Sequence, residues 1–290
     1  MLATKAKFSG NPNALAVAGM DGMCIVGIED VLPSRLKRSV LVLGNFDMLH
    51  NGHRKLVDTA RRIARARSAP LAIMSCDPHP REFFPRSDAF LRIGTAESSR
   101  LAFTREGFDL LFRPRFDASF AAMSAGSFME DILAGQLDVG AVVCGADFRF
   151  GRGRSGSVDD IRDFAAHRDI EVVVCDEVAD AGGVPVRSSR IRQAIARGDI
   201  ETAEALLGGH WHTSAGCYPV GTVEFGDRQI LPPAGSYRVR LLDMDGDHVV
   251  DCVLRLDGET GGQLSDTRPL AARHYIIVWL GHVGHSVWRA

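Results

Sequence analysis

The feature that most constrains this chain is a series of short apolar runs without polar alternation, each followed by an amphipathic stretch. The runs are Ser39–Gly44 (SVLVLG), Leu71–Cys76 (LAIMSC), Phe108–Phe112 (FDLLF), Ala141–Gly145 (AVVCG) and Glu171–Asp176 (EVVVCD). Strands covered by helices on both faces read this way. Helix patterns occupy the intervals at His53–Arg67, Ser124–Leu133 and Val158–His167. In the first of these, Leu56, Val57, Ala60, Ile63 and Ala64 form a stripe opposite a row of arginines, which are expected to be solvated. Strand–helix alternation of this kind predicts a parallel α/β sheet. Two further helices, Ser189–Arg197 and Ile200–Leu207, are predicted on either side of a turn at Arg197–Asp199.

After Gly208 the texture changes. The stretches CYPVGTVEF, GSYRVRLLDMDGDHVVDCVLRLDG and RHYIIVWLG read as antiparallel strands, with DMDGD as the sharpest hairpin turn. The expected division is a large α/β domain over 1–208 and a small β-rich domain over 217–290, with the boundary near Gly208–Gly216. A length of 290 residues suits that arrangement.

Composition excludes several classes. A net charge of −2 offers no electrostatic case for nucleic acid or a membrane surface. The six cysteines (24, 76, 144, 175, 217 and 252) form no C-x-x-C pair, so neither a disulfide framework nor a thiolate zinc site is expected, and a reducing cytoplasm is the default. Those that end predicted strands (Cys76, Cys144 and Cys175) read as small buried hydrophobes. The apolar run Ala14–Ala18 is too short for a signal peptide or a membrane span. Neither CDPH nor GHVGH is expected to hold a metal.

The stretch GNFDMLHNGH, Gly44–His53, joins the first predicted strand to the first predicted helix. In an open parallel sheet, ligands bind beyond the carboxyl ends of the strands. Gly52 allows a tight turn there, and the free N–H groups and dipole of the helix start favour an anion. His50 and His53 can add two side-chain donors, so the stretch reads as a phosphate grip. Neither the dinucleotide-loop nor the Walker-loop glycine spacing is present.

GNFDMLHNGH resembles the G-x-F-D-x-x-H-x-G-H signature of the nucleotidylyltransferase superfamily. DPHPREFF (Asp77–Phe84), GADFRFGRGRSG (Gly145–Gly156) and VRSSRIRQAIARGDIETAEALLG (Val186–Gly208) narrow the resemblance to the bacterial FAD synthetases, the adenylyltransferase module of bifunctional riboflavin kinase/FMN adenylyltransferase. The resemblance implies a Rossmann-like sheet of the nucleotidylyltransferase type. It also implies transfer of AMP from ATP to FMN, with Mg2+, giving FAD and pyrophosphate. By resemblance His50 and His53 hold the ATP phosphates, and Asn45, Phe46 and Asp47 line the nucleotide. Ser188, Ser189 and Arg192 match the family's S-S-T-x-I-R motif, which grips the triphosphate. Pro78, Pro80 and Phe84 correspond to the wall of the isoalloxazine site, which Asp147 and Phe150 also contact. A flavoprotein-type substrate pair, ATP and FMN, is thereby expected as the small-molecule partners.

Two departures stand out. Met48 occupies a position where the family has glycine, and its side chain is expected to narrow the ATP site or shift its loop. The kinase module's G-F-P-T-A-N-type stretch is missing between Gly226 and Pro232, and no catalytic glutamate segment is recognisable after Gly258. Glu224, Asp227 and Glu259 match no kinase motif, so Cys217–Ala290 reads as a shortened relic of the kinase barrel. The expectation is an FMN adenylyltransferase without riboflavin kinase activity. The alternatives are a silent flavin- or nucleotide-binding regulator, which Met48 favours, and an adenylyltransferase for another phosphorylated acceptor.

Overall fold

Val40–Leu43 is buried at every position, and this run of branched residues forms the strand around which the first sheet is built. The computed structural model describes residues 22–84, 90–258, 261–267 and 269–283. Ala14–Ala18, Glu259 and His285 lie outside them. Strands β1 (Cys24–Val26), β2 (Val40–Leu43), β3 (Leu71–Met74), β4 (Leu110–Phe112), β5 (Ala141–Gly145) and β6 (Glu171–Cys175) make one sheet in the order β1-β4-β3-β2-β5-β6. Every neighbouring pair is parallel, with Val40 level with both Leu71 and Ala141. Alternate residues feed opposite faces. Leu41, Leu43, Ala72 and Val142 enter one core, while Val40, Val42, Ile73 and Val143 enter the other.

Helices α1 (Asn51–Arg67), α2 (Pro80–Phe83), α3 (Ala96–Arg105), α4 (Ala118–Ala122), α5 (Ala125–Ser127), α6 (Val158–Ala165), α7 (Ser188–Ala196) and α8 (Ile200–Leu207) follow in chain order. The predicted stripe of α1 is confirmed: Leu56, Val57, Ala60 and Ala64 are buried against β2, β3 and β5. The helix expected over Ser124–Leu133 is instead α5 followed by a π-helical segment, Phe128–Gln136. Strand order reverses at β2, since β3 and β4 lie on one side and β5 and β6 on the other. A crevice opens at the carboxyl end of such a strand.

The second sheet comprises β7 (His212–Cys217), β8 (Thr222–Glu224), β9 (Gly235–Leu242), β10 (His248–Leu256), β11 (Gly261–Ser265) and β12 (Arg273–His282), closed into an antiparallel barrel in the order β10-β11-β8-β7-β12-β9. Strand β7 begins inside the stretch expected to be a boundary. Its sequence, HTSAGC, carries small and polar side chains that give no apolar signal. They are buried because each hydroxyl is bonded: Thr213 Oγ1 accepts from Trp279 Nε1 at 3.0 Å, and Ser214 Oγ meets Thr95 Oγ1 at 2.8 Å.

The barrel interior does not end at the barrel. Ile191, Ile195, Ala203 and Leu206 of α7 and α8 share one continuous core with Trp211, Ile230, Val239 and Trp279. Trp279 is fully buried and stacks on Trp211 with ring centroids 4.7 Å apart. Trp279→Ala should therefore remove the contact surface of helices and barrel together, costing about 3–5 kcal/mol. Urea unfolding followed by far-UV circular dichroism measures this, and a loss below about 1 kcal/mol would contradict a shared core.

Candidate active site

The loop after β2 folds inward. Phe46, Asp47, Met48, Leu49 and His50 are all buried, and Asn45 alone stays exposed between Gly44 and Phe46. His50 caps α1, its Nδ1 accepting the His53 backbone N–H at 3.2 Å. The two imidazoles stack with centroids 3.6 Å apart and planes 15° from parallel. A β-carbon at Gly52 would lie 3.0 Å from His50 Cε1, so the stack is possible because position 52 has no side chain. The same β-carbon would lie 3.5 Å from the Val186 carbonyl oxygen, which brings the start of α7 beside the start of α1. Neither helix has an acidic residue in its first turn, and α7 has no side-chain cap. Their free N–H groups and aligned dipoles make this corner favourable for an anion.

Burial sets the state of the histidines. His50 is pushed down to about 4 by burial, and His53 is held well below 6.5 by burial and by the neighbouring His50. Both rings are therefore neutral near pH 7. Because His50 Nδ1 accepts a bond, its proton sits on Nε2. His53 Nδ1 lies 3.2 Å from the Met48 carbonyl, which can only accept, so its proton sits on Nδ1. The neutral pair therefore offers one Nε2 donor and one Nε2 lone pair, where two donors were expected.

Beside this corner lies an apolar cleft of about 350 Å3, sharing Gly44 and Asn45 with the loop. Pro80 and Phe84 line it together with Phe116, Phe120, Phe128, Phe148 and Phe150. Arg81, Arg149 and Arg154 stand at its margin. A flat apolar ring suits such a lining, and the volume falls within the range of about 300–1,000 Å3 usual for small-molecule sites. Cys76 also lines the cleft, with its thiol pushed up to about 12 by burial, so it is not a nucleophile.

Residues 32–190 match the family model described as FAD synthetase. The chain belongs to the FAD synthetase family. It is 32% identical over 237 residues to the bifunctional riboflavin kinase/FMN adenylyltransferase of Escherichia coli (strain K12), covering 76% of this chain and 73% of that one. It is 29% identical over 219 residues to the protein of the same name from Bacillus subtilis (strain 168), covering 70% and 67% of the two chains. A solved structure described as a macrolide-efflux protein from Streptococcus pneumoniae superposes with a TM-score of 0.73 at 23% identity, over 92% of this chain and 93% of that one. That likeness shows the shared fold alone. Membership makes the chain a nucleotidyltransferase.

The structure gathers many of the sequence-predicted site residues and redistributes others. Asn45, Pro80, Phe84 and Phe150 line the cleft, while Pro78 and Asp147 are exposed and lie off its lining. Gly52, Ser188 and Ser189 lie at the two helix starts. Phe46 is internal, edge-on to His53 at 4.8 Å and to Phe103 at 6.4 Å. Asp47 is internal as well. It is 1% exposed and accepts from Arg92 Nε and the Ile93 N–H at 3.0 Å each, and from Arg192 Nη2. Arg192 donates to Asp47 and to the Leu91 carbonyl at 2.7 Å, which holds α7 to the loop after β2.

Met48 is internal too. Its φ of +65° is left-handed, which explains a glycine preference at this position, but its side chain turns into the core shared with α7 and the barrel. It fills the space over Gly94, where a β-carbon would meet its sulfur at 2.4 Å, and it does not line the cleft. Sequence reasoning missed Phe116, Phe120, Phe128 and Phe148. Only the FRF of Phe148–Phe150 carried a signal, an aromatic pair at period two after a buried strand. Among the described residues, no cluster of three or more His, Cys, Asp or Glu side chains could hold a metal, and no helix is long and apolar enough to cross a membrane.

The histidines generate a pH dependence. His50 and His79 each have a native value of about 4, both lowered first by burial, against 6.5 when unfolded. Below 6.5 the unfolded chain binds more protons, so stability should fall as the pH drops from 6.5 towards 4. Each ring contributes at most about 1.4 kcal/mol per pH unit in that window. His79→Asn, which preserves a capping side chain for α2, should flatten the slope by about one proton. Urea midpoints between neutral pH and about pH 5 measure it, and identical slopes for the two proteins would place the His79 ring in water.

Proposed function

We propose that this chain transfers AMP from ATP to FMN, giving FAD and pyrophosphate. The observation that carries this reading is the meeting, at Gly44 and Asn45, of an aromatic cleft with a corner built from two unopposed helix starts. One end suits a flat apolar ring and the other a polyphosphate, which favours a flavin acceptor over other phosphorylated acceptors.

The chemistry asks little of the side chains. A phosphate monoester has a second pKa of about 6, so the FMN phosphate is already an anionic nucleophile at neutral pH. One of its oxygens forms a bond to the α-phosphorus of ATP, and the bond from that phosphorus to the β-bridging oxygen breaks. Pyrophosphate leaves with the electron pair. No general base is required, which fits two histidines held neutral. His50 Nε2–H and the N–H groups of α1 and α7 stabilise charge building on the departing group. A polyphosphate beside the stack favours protonation of His53, which then supplies the second donor. Magnesium accompanies ATP as the ion bound to its phosphates, as is usual for this ion. Met48 gives no support to a silent binding protein, since its side chain lies in the core. On this reading the protein is cytoplasmic, with an α/β domain and a β-rich domain joined through the core that α7 and α8 share with the barrel.

The barrel is assigned no riboflavin kinase activity. Glu224 accepts from Tyr218 Oη at 3.1 Å, and the segment around Arg228 is docked on Arg92. Activating a ribityl hydroxyl needs a base and an oriented γ-phosphate, and among the described residues neither Glu224 nor Asp227 supports such a role.

Incubation with ATP, magnesium and FMN, followed by chromatography, should show FAD and pyrophosphate. His50→Asn keeps the cap on α1 but removes the Nε2 donor, and should lower turnover at least tenfold, about 2–4 kcal/mol of transition-state stabilisation. Near-normal turnover would sink the phosphate-corner assignment. The same preparation given riboflavin in place of FMN should yield no FMN, and FMN formation would show the barrel to be a working kinase.

A further inference from the structure

The segment between β8 and β9 leaves the barrel and lies against the sheet-bearing unit. The Arg92 N–H donates to the Arg228 carbonyl at 2.6 Å, and the Ile230 N–H donates back to the Arg92 carbonyl at 2.9 Å. Arg92 is the residue whose guanidinium joins Asp47 to the flank of the cleft, through Nη1 to Glu82 Oε1 at 2.9 Å. From the same barrel segment, Arg228 Nη1 donates to the Glu82 backbone carbonyl at 3.1 Å.

Glu82 belongs to α2, a single turn of four residues that cannot be stable alone. It carries Pro80 and Arg81, and Phe84 follows it, all three on the cleft wall. Its amino end is secured by a reciprocal box between His79 and Glu82, whereas the Glu82 carbonyl, in the last turn, has no partner within the helix. Arg228 supplies that partner from the barrel.

Resting on the adenylyl-transfer reading, we propose that Arg228 is a positioning residue for the flavin: it clamps α2 so that Pro80, Arg81 and Phe84 stand ready for the flat ring. The barrel thereby serves the neighbouring cleft directly. Arg228 touches no reacting atom, and the phosphate corner at α1 and α7 is independent of it.

Two measurements on the full chain test this. In the ligand-free protein, Arg228→Ala should speed amide exchange across Arg81–Phe84 several-fold, leaving β3 and α1 unchanged. In the FAD-forming assay it should raise the KM for FMN about three- to tenfold, the worth of one exposed charge-assisted bond, with kcat, the KM for ATP and the melting temperature little changed. Arg228→Lys, which retains a donor, should restore both readings, and Arg240→Ala, in β9 and paired with Asp251, should alter neither. Unchanged exchange at Arg81–Phe84 would overturn the clamp. Faster exchange with an unchanged KM for FMN would overturn its bearing on the flavin. A fall in melting temperature that Lys does not rescue would reduce Arg228 to a structural contact. Absence of FAD with the unmodified protein would count against the adenylyl-transfer reading, while the exchange result would still decide the clamp.

Discussion

A carboxylate at 1% exposure, Asp47, is the point from which the architecture of the site hangs. Removing an ion from water costs several kcal/mol, and the cost is offset here because Asp47 is surrounded by partners: Arg92, Arg192 and the Ile93 and Gly94 N–H groups. The partners come from two other segments of the chain. Asp47 belongs to the loop after β2, Arg92 to the connection before α3, and Arg192 to α7. The buried charge therefore joins three chain segments that apolar packing alone would leave free to slide. Removing either arginine would strand a charge, so the arrangement specifies one relative placement of the segments.

The second connecting device is hydrophobic. The pair α7–α8 has the usual one-sided apolar face, but its partner is the barrel interior around Trp211 and Trp279 as well as the loop of Met48. The corner proposed for a polyphosphate uses the start of α7 and is thus positioned by a barrel that contributes no residue to it. Trp211 Nε1, donating to the Ile93 carbonyl at 2.8 Å, ties this core to the same segment that satisfies Asp47. Polar and apolar connections converge at residues 91–94.

Much of this was legible in the residues. Buried strands announced themselves because short runs of consecutive Val, Ile and Leu between amphipathic stretches fit a sheet covered on both faces, and the histidine-bearing turn stood out for its chemistry. What escaped notice has physical causes. Strand β1 is three residues long at a sheet edge, α3 presents AESSRLAFTR with a weak apolar face, and β7 buries hydroxyls whose partners lie far along the sequence. The pairing of Asp47 with Arg192 was not legible, because a motif conveys which residues matter and not which of them pair. A signal was present: an aspartate enclosed by Phe46, Met48 and Leu49 in an apolar loop must find a counter-charge. The direction of the Met48 side chain was hidden for a related reason. A left-handed φ says where the backbone goes, while the direction of the side chain depends on a cavity, over Gly94, that only the fold creates.

The division of labour at the crevice follows from these connections. A ligand with a flat apolar end and an anionic end needs two unlike environments in fixed relation, one dry and aromatic, the other rich in N–H donors and free of competing carboxylates. The reversal of strand order at β2 supplies both, since the loop after β2 meets the cleft through Gly44 and Asn45 and the helix starts through His50 and Gly52. Asp47 sits in the middle of that loop but turns away from both environments, so its negative charge is spent on arginines and does not repel a polyphosphate. Had it pointed outward, the corner would carry a carboxylate where the proposed reaction accumulates charge. The burial that makes Asp47 costly is therefore also what keeps the phosphate end electrostatically open.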